Sequence, residues 1–160
     1  MKRAIYPGTF DPITFGHLNI LTKARDLFDE VILAVANITS KNTLFTTDER
    51  LCLCNEAVQH FSKIKVEKFD GLSIRFAESV DAKTIIRGMR AVSDFEYELQ
   101  LSLMNKNLNN EIETIFLVPD AEYLYLSSSM VKQVVSLGGN IKKYIPFCVE
   151  QAIIKKFNKI

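Results

Sequence analysis

Short apolar runs alternate with helix-period patterns along this whole chain, and that alternation constrains the fold more than any other feature of the sequence. Ala4-Ile5-Tyr6, residues 31–36, Thr84-Ile85-Ile86 and residues 115–118 run continuously rather than alternating in polarity, as strands buried on both faces do. Residues 64–69 make a fifth candidate strand, interrupted by Lys65 and Lys68. Between the strands lie amphipathic helices. Leu18, Leu21, Ala24 and Phe28 mark one, with Thr14 as its N-cap. Thr46-Thr47-Asp48-Glu49 reads as a capping box opening the next. Residues 72–79 form a short third helix, and residues 94–108 a longer one with Phe95, Leu99 and Leu103 on one stripe. Ser127 or Ser128 caps a fifth that stops at Gly138-Gly139, and Pro146 suits the first turn of a sixth over residues 146–157. Strand–helix alternation of this kind predicts an α/β fold: one doubly wound, Rossmann-like domain over residues 1–160, with a five-stranded parallel sheet and helices on both faces. In such folds ligands bind beyond the carboxyl ends of the strands, so the post-strand segments carry the search for chemistry.

The charge balance narrows the partners. Twenty Lys and Arg against 19 Asp and Glu leave a formal net charge of +1, so no global field draws the chain to nucleic acid or to an anionic membrane. Phosphate binding therefore needs a local cluster. The three cysteines, Cys52, Cys54 and Cys148, match neither a disulfide framework nor a zinc pattern, and buried, reduced thiols are expected. With no apolar run long enough for a membrane span and no secretory pattern at the N-terminus, a cytoplasmic protein is expected.

Four post-strand segments carry the donors. After the first strand comes Tyr6-Pro7-Gly8-Thr9-Phe10-Asp11-Pro12-Ile13-Thr14-Phe15-Gly16-His17. Gly16 is a poor helix former in a first helical turn. A residue without a side chain admits a ligand to the backbone beside unpaired N–H groups at the positive end of the helix dipole. His17 shares that space; alone, it would serve equally well as a surface or capping histidine. After the second strand stands Ser40-Lys41-Asn42, where Lys41 by itself is an ordinary solvated lysine. After the fourth, Arg87-Gly88-Met89-Arg90 offers two arginines suited to bidentate phosphate contacts, or to structural salt bridges. After the fifth, Ser127-Ser128-Ser129 supplies hydroxyls and N–H groups at a helix start. A nucleoside triphosphate is the natural ligand for that density of donors. There is neither a P-loop nor a dinucleotide Gly-x-Gly-x-x-Gly pattern, nor an obvious nucleophile with a paired base. If the acceptor is itself a phosphate, neither nucleophile nor base is required. The protein then positions the partners and stabilises charge at the α-phosphate.

At these residues the chain resembles the bacterial phosphopantetheine adenylyltransferases. The resemblance rests on Tyr6-Pro7-Gly8-Thr9-Phe10-Asp11-Pro12 with Thr14-x-Gly16-His17, then Ser40-Lys41, Ile86-Arg87-Gly88-x-Arg90-Ala91, Asp94-Phe95-Glu96-Tyr97-Glu98 and Ser127-Ser128-Ser129-x-Val131-Lys132. It implies transfer of AMP from ATP to 4′-phosphopantetheine, with Mg²⁺, giving 3′-dephospho-coenzyme A and pyrophosphate. It implies that Thr9 and His17 contact ATP near the α-phosphate, His17 donating to the transition state, and that Phe10 also binds ATP. Arg90 with Ser127, Ser128 and Ser129 would hold the outer phosphates. Thr9, Lys41 and Arg87 would orient the acceptor phosphate, and Ser73 the pantetheine arm. Gly88, Met89, Glu98, Tyr123, Leu124, Tyr125 and Leu126 would shape the adenosine pocket. A homohexamer and feedback by coenzyme A are further expectations of the resemblance; with no carboxylate cage in the sequence, Mg²⁺ is expected to ride on the phosphates and water. Ile38-Thr39, Phe15 and Tyr123 depart from the usual pattern of that family. Nearest rivals are a transferase of the same fold with another acceptor, such as nicotinate mononucleotide, and a nucleotide sensor without turnover.

Overall fold

The computed structural model describes residues 1–37 and 42–157, with all their side chains except those of Val92 and Ser93. Five strands, β1 (Arg3–Gly8), β2 (Glu30–Ala36), β3 (Ile64–Phe69), β4 (Thr84–Gly88) and β5 (Glu113–Leu117), form one parallel sheet in the order β3-β2-β1-β4-β5. Six helices accompany them: α1 (Phe15–Leu27), α2 (Thr47–Val58), α3 (Ser73–Ser79), α4 (Val92–Leu108), α5 (Ser128–Ser136) and α6 (Phe147–Phe157). The doubly wound expectation holds, with two shifted boundaries. The helix expected over 94–108 begins at Val92, and the last strand covers Glu113–Leu117 rather than 115–118.

The period-2 pleat sorts the strand residues between two cores. Ala4 and Tyr6 of β1, Val31, Leu33 and Val35 of β2, and Ile86 of β4 face the larger core with Leu21 of α1, Cys54 of α2, Val131 of α5 and Val149 of α6. Ile5, Ile32 and Ile85 point the other way, onto Ile74 and Ala77 of α3. Right-handed crossovers explain the division. From β1 the chain winds outward through β2 to β3. It then crosses back to β4 on the far side of β1 and winds outward again. The windings diverge between β1 and β4, which makes the carboxyl ends of those two strands the topological switch point.

Local signals set the helix ends. Thr14 caps α1 and Thr46 caps α2, the latter in a full capping box with Glu49. Ser127 caps α5, accepting the Met130 N–H at 3.1 Å. Gly138, at φ +76°, takes the left-handed turn that ends that helix. One helix lacks a covered apolar face. On α4, Phe95, Tyr97, Leu99, Leu103, Met104 and Leu108 are all exposed, and among its described residues only Glu98 and Asn105 are buried. The cysteines also depart in part from expectation. Cys54 is buried, but Cys52, two positions away on the helix, faces solvent.

Candidate active site

The turn after β1 is shaped by close packing. A Cβ on Gly8 would lie 2.8 Å from Cζ of Phe10, so glycine lets that ring fold back beneath the turn. Phe10 adopts a left-handed φ of 50°, and its buried ring meets the His17 ring edge-on at 5.1 Å between centroids. His17 is the third residue of α1 and completes a reciprocal cap with Thr14. Its own N–H donates to Thr14 Oγ1 at 3.4 Å, and the Thr14 N–H donates to His17 Nδ1 at 3.0 Å. Because Nδ1 accepts, the ring proton is assigned to Nε2. Burial, and then the positive charge of Arg90, lower the His17 pKa from 6.5 to about 4. At neutral pH the imidazole is therefore an uncharged Nε2–H donor. Burial likewise holds the phenol of Tyr6, 6.5 Å from it between centroids, above its ordinary range.

Gly16 lies beside it. A Cβ there would meet Thr14 Oγ1 at 3.5 Å and Leu126 Cδ2 at 3.7 Å, ordinary contacts, so neither packing nor backbone demands glycine. Among the described residues nothing accepts the Gly16 N–H. Space kept open beside an unpaired first-turn donor suits an anion.

From β4, Arg87 donates Nε and Nη2 to the two carboxylate oxygens of Glu98 at 2.6 and 2.7 Å, and Nη1 to the Pro7 carbonyl at 3.1 Å. Burial alone would lower the Arg87 pKa, but the Glu98 carboxylate outweighs it and holds the guanidinium above its ordinary value. Arg90 is more open. Its N–H and Nε reach Asp94 Oδ2 at 3.2 and 3.3 Å, and its Nη1 reaches the Leu126 carbonyl at 3.1 Å, tying this loop to the start of α5. The Met89 N–H donates to Leu117 O at 3.0 Å, and a Cβ on Gly88 would stand 3.4 Å from the Tyr6 hydroxyl.

At α5, Ser128 Oγ donates to the Pro12 carbonyl at 2.7 Å, pinning the serine turn to the turn after β1. The backbone N–H groups of Ser128 and Ser129 have no acceptor among the described residues. Tyr123 ends a short 3-10 turn (Ala121–Tyr123), Leu124 and Tyr125 are exposed, and Leu126 is buried against Gly16. Tyr125 stands edge-on to Tyr144 at 6.2 Å. Ser73 opens α3 beyond β3, two strands outward from β1. Lys41, with Ser40 and Ile38-Thr39, lies outside the described residues.

Sequence reasoning missed a polar framework beneath these groups. Asp11, 3% exposed, accepts the Leu44 and Phe45 N–H groups at 2.8 and 2.9 Å and pairs with Lys132 Nζ at 2.8 Å. Arg50 is as deeply buried. Asp11 offered a faint signal, a carboxylate wedged between Phe10 and Pro12. Arg50 offered none, because an arginine in a polar helix turn reads as solvated.

A neutral imidazole donor, two arginines and two helix starts with unpaired N–H groups meet where β1 and β4 diverge. That layout suits an enzyme that transfers a nucleotidyl group, where negative charge grows on phosphoryl oxygens. Residues 5–134 match the family model described as Cytidylyltransferase-like. A phosphopantetheine adenylyltransferase from Desulfitobacterium hafniense (strain Y51) is 52% identical over 158 residues, covering 99% of this chain and 97% of that protein. Another from Alkaliphilus metalliredigens (strain QYMF) is 49% identical over 156 residues, covering 98% and 99%. The chain belongs to the phosphopantetheine adenylyltransferase family. The fold recurs in a solved Vibrio parahaemolyticus structure provisionally assigned as a nicotinate-nucleotide adenylyltransferase, with TM-score 0.72, 16% identity, and 96% and 99% of the two chains covered.

Proposed function

We propose that the protein transfers the adenylyl group of ATP to the phosphate of 4′-phosphopantetheine, giving 3′-dephospho-coenzyme A and pyrophosphate in coenzyme A synthesis. The observation that carries this reading is the His17 ring, uncharged and fixed by Thr14 so that Nε2–H is its donor. An acceptor phosphate oxygen attacks the α-phosphorus in line, and the bond to the bridging oxygen of the β-phosphate breaks. Negative charge grows on the α-phosphoryl oxygens, where a preorganised donor acts most strongly. Neither step needs a protein nucleophile.

Around that centre the reading assigns the other groups. Thr9, Phe10 and the unpaired Gly16 N–H lie by the α-phosphate, while Arg90 and the Ser127–Ser129 turn take the outer phosphates. Arg87 and Lys41 orient the acceptor phosphate, with Ser73 toward the pantetheine arm. Gly88, Met89, Glu98 and Tyr123 to Leu126 flank the adenosine. Among the described residues no group of three or more His, Cys, Asp or Glu is placed to hold a metal ion. In this proposal Mg²⁺ arrives with ATP, ligated by phosphate oxygens and water. Coenzyme A carries both the pantetheine arm and the adenosine of the product, which is why we expect it to compete for the same space. No helix among the described residues is long and apolar enough to cross a membrane, and we place the reaction in the cytoplasm.

The exposed apolar residues of α4 support self-assembly, which we take to a homohexamer. Light scattering of the wild type against a Leu103→Glu, Met104→Glu double variant tests this. A wild type that stays monomeric at micromolar concentration would exclude it.

The reaction is tested by pyrophosphate release from Mg·ATP, with 4′-phosphopantetheine and nicotinate mononucleotide offered separately. Turnover with phosphopantetheine alone is expected. Turnover with the other acceptor would move the protein to a different pathway, and ATP binding without turnover would make it a sensor.

A further inference from the structure

Arg50, in the first turn of α2, is 1% exposed, yet among the described residues no carboxylate pairs with it. A guanidinium withdrawn from water must recover its solvation from other dipoles, and here they are almost all backbone. Nη1 donates to the carbonyls of Thr9 at 2.7 Å and Ala36 at 2.8 Å. Nε donates to the Phe45 carbonyl at 3.3 Å, and Nη2 to Thr47 Oγ1 at 2.9 Å and Asn37 O at 3.5 Å. These acceptors belong to three separate stretches: the turn after β1, the end of β2 and the start of α2. Asp11 completes the arrangement from the opposite side, since it accepts the Phe45 N–H whose carbonyl faces Arg50. One planar fork thus ties the turn after β1 to the backbone that follows β2.

We propose that Arg50 is a positioning residue for the transfer reaction. It fixes the Thr9 backbone against that of Ala36, Asn37 and Phe45 at the separation the reacting phosphates require, and touches neither substrate. This rests on the adenylyltransferase reading of the site. One of the three stretches that share its donors is the turn after β1, where Thr9 lies between Gly8 and the Phe10 ring that packs on His17.

Arg50→Lys in the full-length protein tests it, with Arg50→Met as the harsher companion. Lysine keeps the charge but places its three donors on one nitrogen, so it cannot span the same acceptors. The measurements are melting temperature, hydrogen exchange in peptides covering residues 6–14 and 37–47, ATP affinity, and kcat and KM well below the melting temperature. For Arg50→Lys we expect a folded protein, faster exchange in both peptides and ATP affinity within about threefold of wild type. The kcat/KM for phosphopantetheine should fall at least about tenfold. Unchanged exchange and kinetics in Arg50→Lys would overturn the proposal. So would a loss of activity with no change in exchange at those peptides. Should Arg50→Met fail to fold, Arg50→Lys decides alone. A wild type inactive with phosphopantetheine would sink the adenylyltransferase reading, and the exchange result would still judge whether Arg50 sets the two loops.

Discussion

The proposed reaction gives the two ring nitrogens of His17 different jobs, and substitution separates them. Nδ1 accepts the Thr14 N–H at 3.0 Å and helps close the cap of α1. Nε2–H is the donor assigned to the transition state. In His17→Asn the amide oxygen takes roughly the place of Nδ1, so the cap is kept while the donor at the Nε2 position is lost. In His17→Gln the longer amide reaches toward the Nε2 position and leaves the Thr14 N–H without its partner. Losing a single preorganised donor costs about 2.7–4 kcal/mol of barrier, a drop of roughly 10²–10³ in kcat. Losing a helix cap costs about 1 kcal/mol of stability. His17→Asn is therefore expected to melt within a few degrees of wild type, to bind ATP almost normally by calorimetry and to lose roughly 10²–10³ in pyrophosphate release. His17→Gln should keep more activity and less stability. A folded His17→Asn protein within tenfold of wild-type kcat would show that no essential donor sits at Nε2.

The same ring gives a pH signature. Its pKa is lowered on folding from 6.5 to about 4, so below pH 6.5 the unfolded chain binds the proton that the folded one refuses. Stability present above pH 6.5 is lost as the pH falls toward 4, about 2 kcal/mol of it between pH 6.5 and 5. Carboxylates held below their usual range, such as Glu30 and Glu49, act lower still. Melting curves from pH 8 to 5 should show this slope in the wild type, and its persistence in His17→Asn would assign it elsewhere. Glu98→Gln removes the carboxylate that grips Arg87 at 2.6 and 2.7 Å. We expect roughly 3 kcal/mol of lost stability by denaturant titration, with KM for the phosphate acceptor raised more than KM for ATP. Thr46→Ala removes the cap of α2 and should lower the melting temperature by roughly 2–4 °C, for about 1 kcal/mol.

What the sequence disclosed was whatever is decided within a few residues. Thr14, Thr46 and Ser127 act as caps because a cap needs only its own first turn, and the continuous strand runs follow from burial on both faces. Periodicity gave α4 its apolar stripe, but it says nothing of what covers a stripe; Phe95, Leu99 and Leu103 remain exposed in the single chain. The same limit applies to the site. The post-strand rule gathered His17, Arg87, Arg90 and the serine turn at one sheet edge. Lys132 pairing with Asp11 and Arg50 bonding Thr9 are contacts between segments far apart in the chain. No window on the sequence sees them.

The strand order has a consequence for when this protein becomes useful. β1 pairs with β2, and β2 with β3, so the first 69 residues contain a self-consistent half-sheet. They hold His17 and its Thr14 partner but neither Arg87 nor Arg90, the arginines the proposed reaction gives to phosphates. β4, which carries Arg87, joins only along the opposite margin of β1, and the serine turn and Lys132 come later still. A chain leaving the ribosome would thus carry half a pocket until its C-terminal strands arrived. If the proposed site is right, the appearance of activity would report that the last elements had docked.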